Sequence, residues 1–395
     1  MHRICFHFQV NQPYLLRTYR FFDINQKHDY FDEYQNNYLI NRLADRCYLP
    51  ANEMLLNLIR HYGDKIAFSF SISGATIELF RQYCPHVLDS FRQLVDTGQV
   101  EIAGSTYSHS LSALHSKSSF MEEIGLQEKL LAEIFKTPKP TTFCNTEIIY
   151  SDEIGEWLHE AGYQVVLTEG ARHLLGWRSP YFLYCNPFQT DLKLLLRSYQ
   201  LCDDITLRFS DHGWDQFPLT AEKYISFLDK LPNESMYINL YFDYETIGDY
   251  HPKETGIFDF FHHLFSQLAE SDNFNFIVPS QASATKDTIS TMHVPWPISC
   301  SGDEKDINEW IGNELQQEAY EQLYKLESLY HESKNKAAKL AWLRLQNAVY
   351  FNFMSTKWFP KQAVKRFFDV YPSPYQAFIN YMNVVNDVKV QLSEK

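Results

Sequence analysis

The chain has 395 residues, 45% of them hydrophobic and 16% aromatic, enough to bury a large core as one big domain or two. Its formal net charge of −14, with no standout cluster of Lys and Arg, opposes nucleic-acid binding and leaves neutral ligands such as sugars compatible. Seven scattered cysteines (Cys5, Cys47, Cys84, Cys144, Cys185, Cys202, Cys300) include no C-x-x-C pair, so reduced, mostly buried thiols are expected rather than a zinc or redox centre.

The opening "MHRICFHFQVNQP" is strand-like and lacks the apolar stretch and small-residue cleavage site of a secretory leader. No run of about 18 apolar residues follows, so a cytoplasmic protein with no membrane partner is expected. Short β-rich runs then recur: "ICFHFQV" (4–10), "IAFSFSI" (66–72), "VEIAGS" (100–105), "TTFCNTE" (141–147), "VVLTE" (165–169), "ITLRFS" (205–210), "YINLYFDY" (237–244) and "NFIVPS" (275–280). Between them lie segments with apolar residues three and four apart, among them "LPANEMLLNLIRHYG", "GATIELFRQYCPHVLDSFRQLVDTG" and "SSFMEEIGLQEKLLAEIFK". Strand alternating with helix predicts a parallel α/β sheet covered by helices, and seven or eight such units favour a barrel. Beyond about residue 300 three long helical patterns run without a strand between them, and in the first Ile307, Trp310, Ile311, Leu315 and Ala319 share a face. The expected division is a catalytic barrel over 1–295 and a helical region over 296–395 packed near the barrel mouth.

In such barrels the loops after the strands build the active site. The strand ends offer Gln9, Asn11 and Gln12, Ser71 and Ser73, Tyr107 and His109, Asn145 and Glu147, Glu169, Arg208 and Asp211, and Asp243 with Glu245. Each alone has a plain explanation as a turn residue, a helix cap or a solvated carboxylate. Glu147 and Asp243 together are different. Both end strands too apolar to face solvent, and both sit among Asn, Thr, Tyr and Gly rather than basic residues that would make structural ion pairs. Glycoside hydrolysis needs two such carboxylates, held about 5 to 5.5 Å apart in retaining enzymes.

The segments "FQVNQPYLLRTYRFFDI", "GQVEIAGSTYSHSL", "FCNTEIIYSDEIGEWLHEAGY", "TEGARHLLGWRSP", "YFDYETIGDYH", "DINEWIGNELQ" and "FMSTKWF" together resemble the ordered motifs of glycoside hydrolase family 57, in its α-amylase-like branch. The resemblance spans nearly the whole chain. It implies a (β/α)7-type parallel barrel (a distorted TIM-like barrel), a helical region closing over the site, and retaining double displacement on α-glucosidic bonds of α-glucans or malto-oligosaccharides. It also implies no cofactor and no catalytic metal. Carried over by motif, Glu147 is the nucleophile and Asp243 the general acid/base, with Glu245 in a supporting role. The acid has to hold its proton near neutral pH, which apolar surroundings or a second carboxylate favour. Asn11, Gln12, Tyr107 and His109 are expected to bind substrate, and Trp177 and Trp310 to stack on glucose rings, with core packing an equal reading for Trp310.

The chain departs from the family pattern at three places. Asn11 stands where a His is usual, Ser105 where a Glu precedes "TYYHS", and Val349 and Tyr350 where an Asp-His pair is usual. These changes imply an altered substrate pocket or reduced activity, since Asn can hydrogen-bond a hydroxyl but cannot titrate near neutrality. Three readings stay open beside the hydrolase. One is a 4-α-glucanotransferase with the same site, and the second is a catalytically impaired glucan-binding or regulatory protein. The third, a metal-dependent polysaccharide deacetylase, ranks low because His109 and His115 lie six residues apart with no Asp-Asp pair after the first strand.

Overall fold

The computed structural model describes residues 1–231, 237–285, 288, 290–359 and 370–394. The strands, in chain order, are β1 (His2–Val10), β2 (Phe68–Ile72), β3 (Val100–Ile102), β4 (Thr142–Cys144), β5 (Val165–Glu169), β6 (Tyr184–Cys185), β7 (Lys193–Arg197), β8 (Tyr237–Asp243), β9 (Phe274–Phe276) and β10 (Ser290–Thr291). β1 pairs with β2 and β8, β2 with β3, β4 with β5, β5 with β7, and β7 with β8, all parallel. Gly104 closes the remaining seam: its N–H donates to the Thr142 carbonyl at 2.9 Å, and its carbonyl accepts from the Cys144 N–H at 2.8 Å. The side chain of Tyr163 fills the space a Cβ at Gly104 would need, its hydroxyl oxygen 2.7 Å from that position. β1, β2, β3, β4, β5, β7 and β8 therefore form a closed parallel ring, the (β/α)7 architecture expected, while β6, β9 and β10 extend it from outside.

Alternation along β1 divides the molecule into layers. Phe6, Phe8 and Val10 enter the large apolar cluster under the surrounding helices, packing with Phe68, Phe242, Phe261 and Phe265. The residues between them face the barrel interior. There His7 bridges the hydroxyls of Ser69 and Ser71 at 2.9 and 3.0 Å, its ring stacks 5.8 Å from Tyr241, and the Tyr241 hydroxyl donates to Gln9 at 2.5 Å. Burial without a charged partner pushes the His7 imidazole down to about 3, so it stays neutral.

Two expectations about elements are corrected. "ITLRFS" is not a strand: Tyr199–Thr206 is helical, and Leu201, Cys202 and Ile205 bury one helical face. The strand of this unit is β7, which begins at Lys193 and so lacks a clean apolar start. Arg208 and Asp211 accordingly leave the list of strand ends: Arg208 pairs with Asp204 at 2.6 Å, and Asp211 caps an exposed turn at Gly213. The long pattern from Gly74 divides into helices Gly74–Tyr83 and Pro85–Asp96, because Pro85 has no N–H to continue the first.

The helical region is more segmented than three long patterns suggest. Among the described residues it comprises helices Asn308–Ile311, Glu314–Tyr324, Glu327–Glu332, Lys336–Leu345, Ala348–Phe353 and Pro374–Ser393. Asn313 causes the first break, accepting from the Gln316 N–H to start a new helix. A second apolar cluster joins this region to the barrel, with Phe143, Tyr150 and Leu194 packed in one body with Trp310, Trp342 and Tyr381. No described helix is long and apolar enough to cross a membrane.

Candidate active site

Glu147 stands on the turn directly after β4, and the local sequence explains how. Asn145 brackets this turn, its Oδ1 accepting from the Thr146 N–H and its Nδ2 donating to the Ile149 carbonyl, both at 2.9 Å. Thr146 is tied to Thr106 through their hydroxyls at 2.9 Å. Held in this way, Glu147 and Ile148 both adopt φ of 49°, a left-handed conformation that L residues enter at a cost of about 1–2 kcal/mol each. The strained turn presents the Glu147 carboxylate to two side chains. His109 Nε2 lies 3.4 Å from Oε1, and the Cys300 thiol donates to Oε2 at 3.3 Å.

His109 is itself at φ 55°, on the loop after β3. Buried Glu123 holds this loop from the helix Lys117–Phe135, accepting from the Ser108 N–H at 2.7 Å and hydroxyl at 2.8 Å. Burial pushes the Glu123 carboxyl up to about 7, partly offset by those bonds from Ser108. The helical region grips the same loop, since the Ala348 N–H donates to the His109 carbonyl at 2.9 Å.

Asp243 is the last residue of β8, in register with Gln9 of β1. The Tyr250 hydroxyl donates to its Oδ2 at 3.1 Å. Glu245 follows on a single 3-10 turn and is turned toward Gln12 and Tyr48, which donate to its Oε1 at 2.8 and 2.5 Å. Burial, then the charge of Asp243, pushes the Glu245 carboxyl up to about 7. Glu245 thus holds its proton to higher pH than an ordinary carboxyl.

The charges of the two carboxylates are felt by the same buried groups. Burial pushes the Cys144 thiol up to about 12, and the charges of both Glu147 and Asp243 add to the effect. The Tyr241 hydroxyl is raised by burial and feels the same two charges. Glu147 and Asp243 are only 4% and 5% exposed, so the pair is enclosed in this conformation. Glu169, on the neighbouring strand end, belongs to a structural network: Arg197 lies at 3.1 Å and Lys305 at 3.8 Å.

The other expected binding residues divide. Gln12 serves Glu245, and Asn11 accepts from the Ser73 hydroxyl at 2.9 Å and Asn347 Nδ2 at 3.2 Å, joining three segments at the barrel mouth. Tyr107 lies against Gly74 and commits its hydroxyl to Glu78. Trp177 is 95% exposed beyond the short helix Arg172–Leu175, whereas Trp310 is buried in the second apolar cluster and has the packing role. At the departures, Ser105 is buried with its hydroxyl unpartnered. Val349 and Tyr350 are packed in the second cluster, with the Tyr350 hydroxyl donating to the Tyr14 carbonyl. Cys300, Tyr48 and Tyr250 were not singled out from the sequence, whereas Gln9 was, as a polar group at the end of the first strand. Of the first three, only Tyr250 carried a signal there, as part of the "DYETIGDYH" motif.

Comparison with known proteins bears on the family and the fold. The profile of glycosyl hydrolase family 57 matches residues 5–295. A protein of Methanocaldococcus jannaschii provisionally named an alpha-amylase is 35% identical over 407 residues, covering 99% of this chain and 85% of that protein. The 4-alpha-glucanotransferase of Thermococcus litoralis superposes with a TM-score of 0.69 at 13% identity, covering 89% of this chain, which spans only 56% of that enzyme. The branching enzyme of Thermococcus kodakaraensis gives 0.68 at 12% identity, with 93% and 88% of the two chains covered. An alpha-amylase of Thermotoga maritima gives 0.64 at 13% identity, with 97% and 92% covered. With the profile matched across the barrel and the seven-stranded ring shared in fold, the chain belongs to glycosyl hydrolase family 57.

Proposed function

We propose that this glycoside hydrolase cleaves α-glucosidic bonds of α-glucans or malto-oligosaccharides with retention, using Glu147 as nucleophile and Asp243 as general acid/base. A Glu147 carboxylate oxygen bonds to the anomeric carbon as the bond to the leaving oxygen breaks, and that oxygen takes the proton of Asp243. Asp243, now ionised, accepts a proton from water as the water oxygen displaces Glu147 from the anomeric carbon. The observation that carries the reading is a pair of enclosed carboxylates at strand ends, Glu147 accepting from the Cys300 thiol and Asp243 from the Tyr250 hydroxyl, whose charges both reach Cys144 and Tyr241. His109 and Cys300 orient Glu147, while Glu245, held by Gln12 and Tyr48, supports the turn that follows Asp243.

Residues 1–295 form the catalytic barrel on this reading, and 296–395 close its mouth. The buried, free state of all seven cysteines supports a reducing, cytoplasmic setting. The test is a product profile on a panel of α-glucans. Glu147→Gln and Asp243→Asn should each lower kcat by at least about 10³-fold, the scale on which a lost nucleophile or acid is felt. Turnover persisting in Glu147→Gln would sink the assignment. New longer oligosaccharides from maltoheptaose would move the enzyme to glucan transfer with the same residues. Wild-type protein that binds glucan without turnover would favour the impaired, regulatory reading suggested by Asn11 and Val349.

A further inference from the structure

We infer that the outer face of helix Glu33–Leu43 and the turn after it form a second α-glucan-binding groove, one that seats sugar units away from the catalytic carboxylates. The inference rests on the α-glucan reading above. The groove has a volume of about 440 Å3 and is lined by Tyr34, Asn37, Tyr38, Asn41, Arg42 and Asp45, among others. That is within the range of about 300–1,000 Å3 usual for small-ligand sites.

Its chemistry is that of a neutral polyhydroxylated chain. Tyr34 and Tyr38 are 75% and 59% exposed. Four residues apart on one helix, they stand on the same face about 6 Å apart along the axis, a spacing at which two rings can stack on successive sugar units. On the same helix Asn41 Nδ2 donates to the Asn37 side chain at 2.6 Å, and both amides line the groove with the two rings. Of the two arginines in the lining, Arg42 is paired with Asp249 at 3.3 Å, and Arg46 shares the groove with Asp45, so the charges are largely offset.

The groove is also wired to the catalytic loop. The segment Ala44–Tyr48 is a π-helical turn, a rare geometry that rotates the following side chains relative to the helix before it. From its inner face Tyr48 reaches Glu245, and the Cys47 thiol reaches the Tyr244 carbonyl at 3.4 Å. On the groove side Arg42 pairs with buried Asp249 at 3.3 Å. A chain held on Tyr34 and Tyr38 therefore rests on the structure that supports the turn after Asp243.

The test is affinity electrophoresis in native gels containing amylopectin, with a dextran gel as control, on wild type, Y34A/Y38A and Y34F/Y38F. Retardation should be specific to amylopectin, weaken about tenfold in Y34A/Y38A, and survive in Y34F/Y38F, which keeps both rings. The rate on amylopectin relative to that on maltotetraose should fall in Y34A/Y38A in the same proportion. Both residues are exposed, so all three proteins should melt alike; if the double alanine variant does not fold, Tyr34→Ala alone carries the comparison. Wild-type retardation that is unchanged in the alanine variant overturns the groove while leaving the catalytic assignment intact. Absence of both retardation and turnover of any α-glucan by wild type overturns the substrate reading, and the groove with it.

Discussion

Glu147 and Glu245 show how burial sets what a carboxylate can do. Glu147 is met by a thiol and an imidazole on a left-handed turn, while Glu245, on the turn after β8, is met by a phenol and an amide and holds its proton up to about 7. Glu123 is raised to about 7 as well, behind the His109 loop. For both the folded-state value lies above the unfolded one. Their contribution to stability is therefore complete below about pH 4.5, declines as the pH rises, and is gone above about 7. A displacement of this size corresponds to on the order of 3 kcal/mol per group. Glu123→Gln and Glu245→Gln should each flatten the fall in Tm between pH 5 and 8, measured by calorimetry; a slope identical to wild type in both would refute the assignment. The placement of Glu147 after β4 and of Asp243 at the end of β8 was legible, because both follow short apolar runs that read as buried strands. Cys300 was not legible, since it comes 153 residues after Glu147 and meets it only in the folded chain.

At the level of elements, the loop from Tyr244 to His251 governs the acid side of the site. Gly248 has φ of 106° and lies so close to the preceding helix that an added Cβ would sit 2.1 Å from the Arg46 carbonyl oxygen. Gly248→Ala should destabilise the protein by about 1–3 kcal/mol and lower kcat, because relief requires moving the loop that carries Glu245 and Asp249. A variant with wild-type Tm and kcat would show that the close approach relaxes without effect. Most helices could be read in advance from their apolar spacing, as with Leu49–Tyr62 and Lys117–Phe135. The error at "ITLRFS" has a physical origin. Its residues alternate like a strand over a few positions, yet burial on one side of a helix uses Leu201, Cys202 and Ile205, a spacing that short runs do not separate from alternation.

At the scale of the whole molecule, the helical region is part of the enzyme's core. Arg344 shows the coupling: its guanidinium lies 3.8 Å from the Tyr14 ring centre and 5.3 Å from that of Phe31, and within 3.5 Å of Glu78. Glu78 in turn holds Tyr107, so one side chain of the helical region touches the segments after β1, β2 and β3. Arg344→Ala should cost about 1–2 kcal/mol in stability. It should also raise KM for α-glucans more than Arg344→Lys does, read by chemical denaturation and steady-state kinetics; equal effects of the two variants would argue against the stacked geometry. By itself the sequence determined the alternation of strand and helix, the strand ends that carry Glu147 and Asp243, and the family, because these depend on local periodicity and ordered motifs. Tertiary structure alone decided that Gly104 closes the ring and that Trp310 packs rather than stacks. It also decided that Asn11 joins Ser73 to Asn347, and that Cys300 and Tyr250 attend the two carboxylates. Those outcomes depend on which distant segments share a buried space, and hydrogen-bonding capacity at one position does not specify the partner that burial will bring to it.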